Sequence, residues 1–279
     1  LIDHGLSVED YLEAIACTDY TKWDTAILNI AADAAQSIYE RCLDLKAPTI
    51  THRLDGASGK DRDIGCESAM QQVFDFITVY SSMPVFNRRI VKQQASSVEG
   101  RGQIYGMRMS RKWAIKNTSG IEYAKRHGYR TKDRMKWFVK LDVKKCFPSC
   151  RADVFLRCFE KDCGNPDIIW LWRELLYSHH VDGYEGFMIG ALTSQWAAQY
   201  ILSFAYHYAM SIKKPQRRGI SERAVSHMIM FMDDMMLCGP SRRQLKRAVL
   251  MLINYLNRDF SLSIKPNWSI QRFGEDCGI

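Results

Sequence analysis

The eight residues 230–237 constrain this chain more than any other stretch. Asp233 and Asp234 stand side by side between two apolar runs, Met230-Phe231-Met232 and Met235-Met236-Leu237. Apolar runs of this length read as strands over 227–232 and 235–238, and pairing them pushes both acids out at the tip. Adjacent carboxylates repel, so a site that keeps both ionised calls for a cation. Oxygen-only ligation favours Mg²⁺ or Mn²⁺. Asp is also a common turn residue, and taken alone the pair fits a polar hairpin turn equally well.

A third carboxylate shifts that balance. Residues 137–143 form the clearest strand in the sequence. Trp137, Val139, Leu141 and Val143 alternate onto one face, and Phe138, Lys140 and Asp142 onto the other. Asp142 ends the strand just before a turn, where a site would sit. One strand-end Asp with a hairpin Asp pair is the ligand set of a two-metal site for in-line phosphoryl transfer.

The rest of the chain reads as helices with a few strands. Helices are expected over 8–17, 23–45, 67–80, 151–163, 167–178 and 193–211. Another fills much of 104–128, broken near Ser119-Gly120. One more starts at Ser241, with Gln244 at the capping-box position and Leu245, Val249, Leu252 and Leu256 inward. The stripe Trp196, Tyr200, Phe204 and Tyr208 reads as core. Short strands are expected at 48–54, around Arg62 and Ile64, at 262–264 and at 268–270, with a turn at 55–59. The mixture predicts an α+β or α/β sheet domain.

Charge points to a polyanion. The 279 residues carry 39 Lys and Arg against 31 Asp and Glu, a net +8. Residues 100–145 alone hold 14 basic and 3 acidic residues, a local +11. Lys213, Lys214, Arg217 and Arg218 form a second cluster. Each phosphate contact made by such a surface releases counterions. A solvated basic face without a partner fits the same charge. The composition excludes a disordered or fibrous chain, and no apolar run approaches the ~18 residues of a membrane span. Nine scattered cysteines form no C-x-x-C pair and read as reduced thiols, hence a cytoplasmic protein. Cys146 and Cys150 bracket a proline without a nearby His and do not read as zinc ligands.

With these residues on the page, the sequence resembles the reverse transcriptases. Leu141-Asp142-Val143-Lys144-Lys145-Cys146-Phe147 is similar to that family's first palm motif, an Asp followed five residues later by an aromatic. Phe231-Met232-Asp233-Asp234 resembles its Tyr/Phe-x-Asp-Asp motif. Gly190-Ala191-Leu192-Thr193-Ser194-Gln195 resembles the Gly-x-x-x-Ser motif that opens the palm helix. Leu262-Ser263-Ile264-Lys265 resembles the strand after the next helix. Lys60-Asp61-Arg62-Asp63-Ile64 resembles the basic fingers strand. Any one motif is weak; five in the family's order are strong.

The resemblance implies a right-hand polymerase fold, with an antiparallel palm sheet backed by helices. Fingers would occupy 1–135 and palm 136–279. Asp142, Asp233 and Asp234, with the backbone carbonyl of Val143, would hold two Mg²⁺, for which Mn²⁺ can substitute. Lys60 and Arg62 would grip the triphosphate. Phe147 would stack on the sugar and exclude a 2′-hydroxyl. Ile189, Gly190 and Gln195 would line the nucleotide site, and Lys265 is a candidate general acid. The partners implied are an RNA template, a primer strand, dNTPs and a small basic accessory protein.

The form Ile189-Gly190-x-x-x-Ser194-Gln195 departs from the commoner Gln-Gly-x-x-x-Ser-Pro. It resembles the error-prone enzymes of bacterial and phage diversity-generating retroelements. Ile189 lacks the hydrogen bond a Gln can make near the incoming nucleotide, which leaves geometry less well checked. Met188 stands where that group often has Pro, and Gln94–Gly102 is an unusual loop. The chain opens on Leu1 and stops before a primer-grip hairpin or thumb, which reads as a fragment. Two other readings stand beside this one: a defence-associated bacterial reverse transcriptase, and a catalytically silent RNA-binding module.

Overall fold

The computed structural model describes residues 20–55, 59–181, 184–214 and 222–274. It opens with helix α1 (Tyr20–Tyr39) and the antiparallel pair β1 (Thr49–Asp55) and β2 (Lys60–Cys66). Helices α2 (Ala69–Ser81), α3 (Met83–Arg89) and α4 (Gln103–Arg126) follow. Strand β3 (Trp137–Asp142) then leads into α5 (Cys146–Ser149), α6 (Ala152–Asp162), α7 (Pro166–Ser178) and α8 (Leu192–Ser211). The hairpin β4 (His227–Phe231) and β5 (Asp234–Gly239), helix α9 (Arg242–Phe260) and β6 (Ile270–Arg272) complete the order.

The central sheet has the order β4-β5-β3-β6 and is antiparallel throughout. One face packs on α8 and α9. Met228, Met230, Met235, Leu237, Val139 and Leu141 point that way and are buried. Helix α8 is buried on nearly every side, as a helix crossing the middle of a core must be. In α9, Leu245, Val249, Leu252 and Leu256 are all inward and fully buried, as their spacing predicts.

The opposite face of the sheet is divided. Strict alternation would leave Phe138 in solvent, yet it is buried. Helix α4 lies across that end of the sheet, where Trp113 and Ala114 pack against Met135, Phe138 and Cys238. Beyond α4 the face opens, and Lys140, Asp142 and Asp234 stand there. The basic residues Arg108, Arg111, Lys112, Lys116, Lys125 and Arg126 face outward from α4.

Several expectations are corrected. Helix α4 runs unbroken through Ser119-Gly120, because its packed stripe, which includes Trp113 and Ala124, holds it in tertiary contact. The helix Met83–Arg89 was not foreseen; Phe86 within it packs edge-on against Trp172, and Arg89 pairs with Asp162. Ser241 does occupy the N-cap of α9 but makes no side-chain capping bond, and buried Gln244 Oε1 has no partner. Residues 262–264 form only an isolated bridge, Ile264 to Val143, and the last strand falls at 270–272. The expected helix at 8–17, residues 56–58 of the turn, and Arg217 and Arg218 lie outside the described residues.

The seven described cysteines are all free thiols, four of them buried. Cys150 is pushed up by its hydrogen bond with Cys146 and by burial. No helix among the described residues is long and apolar enough to cross a membrane.

Candidate active site

The register of the sheet assembles three carboxylates. Asp142, last in β3, is the cross-strand partner of Asp234, first in β5. Phe231 pairs with Asp234, so Met232 and Asp233 form a two-residue turn at the hairpin tip. The Val143 N–H donates to the Asp233 carbonyl at 3.2 Å, which draws the tip onto the end of β3. Residues 263–265 close the other side. Lys144 N donates to Ser263 O at 2.7 Å and Lys265 N to Asp142 O at 2.9 Å.

Electrostatics make this cluster uncomfortable without a cation. Burial, and then the charges of Asp233 and Asp142, push the Asp234 carboxyl above the usual carboxylate range. Asp142 Oδ1 is buried with no partner, while its Oδ2 accepts from Lys265 Nζ at 2.5 Å. That bond holds the Lys265 ammonium above the ordinary lysine range. The orphaned oxygen and the oxygen-rich donor set fit a hard divalent cation such as Mg²⁺.

Backbone strain gathers at the same place. Five non-glycine residues among those described have positive φ, and three of them lie beside the carboxylates: Met232 precedes Asp233, Ser97 bonds the Met232 sulfur, and Lys145 stands three residues beyond Asp142. Such conformations persist only where the surroundings over-determine them.

The other candidates are distributed as follows. Phe147 stands on α5, half-buried against the main core. Lys60 opens β2 opposite Asp55, and Arg62 lies exposed within it. Strand β2 docks on the 189–190 loop, where Gly65 N donates to Ile189 O at 2.8 Å. Gly190 has φ +120°, and a Cβ there would lie 2.4 Å from Gly65 O. Gln195 is half-buried, and its Nε2 donates to Ser97 Oγ at 2.6 Å.

A second titratable group was missed by sequence reasoning. Glu67, Asp75 and His179 bring their ligand atoms within 4.8 Å of one another, a tighter group than the three strand-end carboxylates form. Two carboxylates and an imidazole could hold a metal. Their protein bonds also give them a structural task. Asp75 accepts from Thr193 N at 2.9 Å and from Thr193 Oγ1, so it caps the start of α8 from α2. His179 Nε2 lies 2.6 Å from Glu67 Oε1. The partners come from separate elements, 118 and 112 residues apart, which no local pattern reveals.

Burial, and then the Glu67 charge, push the Asp75 carboxyl up to about 7. Between the ordinary carboxylate range and about pH 7 the folded chain therefore holds a proton that the unfolded chain has released. Stability must fall as pH rises through that window, by up to about 4 kcal/mol, and level off above it. Asp75→Asn keeps an acceptor for Thr193 and is expected to abolish this fall. Urea titrations at pH 5 and pH 8 check it; an unchanged pH slope in the variant would refute the assignment.

No protein-family model and no curated protein sequence matches the chain. Solved structures do. Apo telomerase from Candida tropicalis, truncated from its C-terminal domain, superposes with a TM-score of 0.50 at 13% identity, over 84% of this chain and 51% of that one. Telomerase from Candida albicans, in complex with a fragment of telomeric RNA, gives 0.49 at 10% identity, over 82% and 42%. The chain thus spans about half the length of these structures or less. The first likeness establishes the fold: a reverse-transcriptase-like polymerase fold with helices and small antiparallel sheets.

Proposed function

We propose that the chain copies an RNA template into DNA, as the polymerase part of a reverse transcriptase of the diversity-generating type. The observation that carries the reading is the pairing of Asp142 with Asp234 at the open end of the sheet, with Asp233 beside them at the hairpin tip. Asp142, Asp233 and Asp234 would hold Mg²⁺, with Val143 at the same strand end. Bound there, divalent cations would lower the charge barrier to attack of a primer 3′ hydroxyl on a dNTP.

The chain's own residues supply the rest. Lys265, held protonated beside Asp142, keeps a positive charge at the site and is the proton donor nearest these carboxylates. Arg62, with Lys60 at the start of the same strand, offers cations to the triphosphate. The docking of Gly65 on Ile189 joins that strand to the loop that opens α8. Phe147, five residues beyond Asp142, would exclude the 2′-hydroxyl. The basic outer face of α4 offers the RNA a phosphate-binding surface.

Primer extension on poly-rA/oligo-dT with Mg²⁺ or Mn²⁺ tests the polymerase reading. Metal-dependent synthesis supports it. A folded protein that binds RNA equally well with and without metal, and makes no DNA, would favour the silent RNA-binding module. Sequencing cDNA made in cells tests the subtype, since adenine-directed errors in template-repeat copies mark the retroelement enzyme. Ile189→Gln is expected to lower misincorporation by about 3- to 10-fold, the worth of one neutral hydrogen bond. Single-turnover misincorporation unchanged in the variant would remove Ile189 from the account.

A further inference from the structure

The loop 94–102 has no counterpart among the motifs, yet it makes the closest polar contacts to the aspartate hairpin. Residues 93–95 run parallel to β4: Met230 N donates to Gln93 O at 2.9 Å and Ala95 N to Met230 O at 2.8 Å. The next residue, Ser96, is buried, and its Oγ accepts from Met232 N at 2.8 Å. Gln199, buried in α8, donates through Nε2 to the same Ser96 Oγ at 2.7 Å and to Met232 Sδ at 2.8 Å. Gln94 Nε2 in turn donates to Gln199 Oε1 at 3.0 Å and to the Gln199 carbonyl at 2.9 Å, which fixes the amide's orientation. Ser97 Oγ donates to Met232 Sδ at 3.2 Å and accepts from Gln195.

Three of these bonds end on Met232, the residue before Asp233, and the others hold the groups that make them. Met232 has φ +50°, a left-handed conformation that costs a side-chain-bearing residue about 1–2 kcal/mol. Its N–H cannot enter the β4–β5 ladder at the turn and finds Ser96 instead. A thioether is a weak acceptor, so two donors on it hold the side chain without competing for the carboxylates.

We propose that Ser96 and Gln199 are positioning residues. They hold Met232 in its left-handed turn and thereby set where Asp233 and Asp234 present their oxygens to a divalent cation. The inference rests on the polymerase reading of that site but concerns a different part of the chain. Neither residue touches the carboxylates, so each acts through Met232. Partners that orient metal ligands from behind typically change metal affinity or activity 10- to 100-fold when lost.

The test uses the full chain with Ser96→Ala and Gln199→Met. The control is Ser203→Ala, a buried serine one turn further along α8 that bonds only Tyr200 O. Primer extension gives the Mg²⁺ concentration for half-maximal rate and the dNTP KM at saturating metal; Mn²⁺ titration followed by electron paramagnetic resonance gives metal binding without substrate. Both variants are expected to need about 10- to 100-fold more metal. The thermal midpoint of each variant is expected to fall by a few degrees, because each leaves polar partners unsatisfied, while both stay folded at the assay temperature. The dNTP KM at saturating metal is expected to stay close to wild type, and the control's metal dependence to match wild type. Unchanged metal dependence in both variants overturns the proposal. So does a loss that only tracks the folded fraction, or that the control shares. If the wild-type chain extends no primer, the polymerase reading fails first. Mn²⁺ binding then decides this inference alone: weakened binding in both variants supports it, and equal binding, or none in the wild type, overturns it.

Discussion

Asp234→Asn is expected to reduce metal-dependent nucleotide addition by at least about 10³-fold, equivalent to some 4 kcal/mol of transition-state stabilisation. The same substitution is expected to leave the fold intact and to raise its melting temperature. The two effects share one cause. Asp234 is pushed above the usual carboxylate range by burial and by repulsion from Asp233 and Asp142. Removing its charge relieves that repulsion and, on the proposed reading, also removes a cation ligand. A carboxylate cluster with no cation to hold would gain stability from the change and lose no activity. Primer extension beside differential scanning calorimetry reads both effects. A variant as active as wild type would sink the three-carboxylate site; one that unfolds would show that Asp234 is structural.

Gly190→Ala is expected to cost about 2–4 kcal/mol, a melting shift of roughly 4–12 °C, and to weaken dNTP binding. The residue has φ +120°, where side chains are strained in any space, and the new Cβ would meet the Gly65 carbonyl at 2.4 Å. A backbone oxygen in a paired strand cannot step aside, so β2 would be pushed off the 189–190 loop. Gly65 offers the contrast. A Cβ there would lie 1.8 Å from Met188 Sδ, the far part of a flexible side chain. Gly65→Ala should therefore be rescued in large part by Met188→Ala, while no side-chain change rescues Gly190→Ala. Thermal melts of the four variants, with dNTP KM for those that fold, check the pair. Equal rescue at both positions would refute the backbone-contact argument.

The candidate site was legible because its parts are local. Asp142 ends a strand whose alternation shows in seven residues, and Asp233-Asp234 sits between two short apolar runs. Period-2 patterning alone predicts which faces Lys140 and Leu141 take, and the sheet agrees. The periodicity of α9 is equally plain, since one helix face holds its whole core contribution. Where the reading erred, distant contacts decided. Phe138 is buried because α4 crosses that end of the sheet and Phe273 packs edge-on against it, and Gly120 is helical in a helix held by packed Trp113 and Ala124.

What the sequence by itself determined is therefore the identity and strand placement of the three carboxylates, the inner faces of the sheet and of α9, and the basic character of α4. Those are properties of spacing and charge, which survive in a linear string. Only the tertiary structure decided the rest. It pairs Asp142 with Asp234 across the sheet, brings Asp75 from α2 to cap α8, sets Gly65 on Ile189 and ties Ser96 and Gln199 to Met232. Each of these joins polar groups from separate elements. Their hydrogen bonds depend on how buried elements are packed against each other, and no periodicity encodes that.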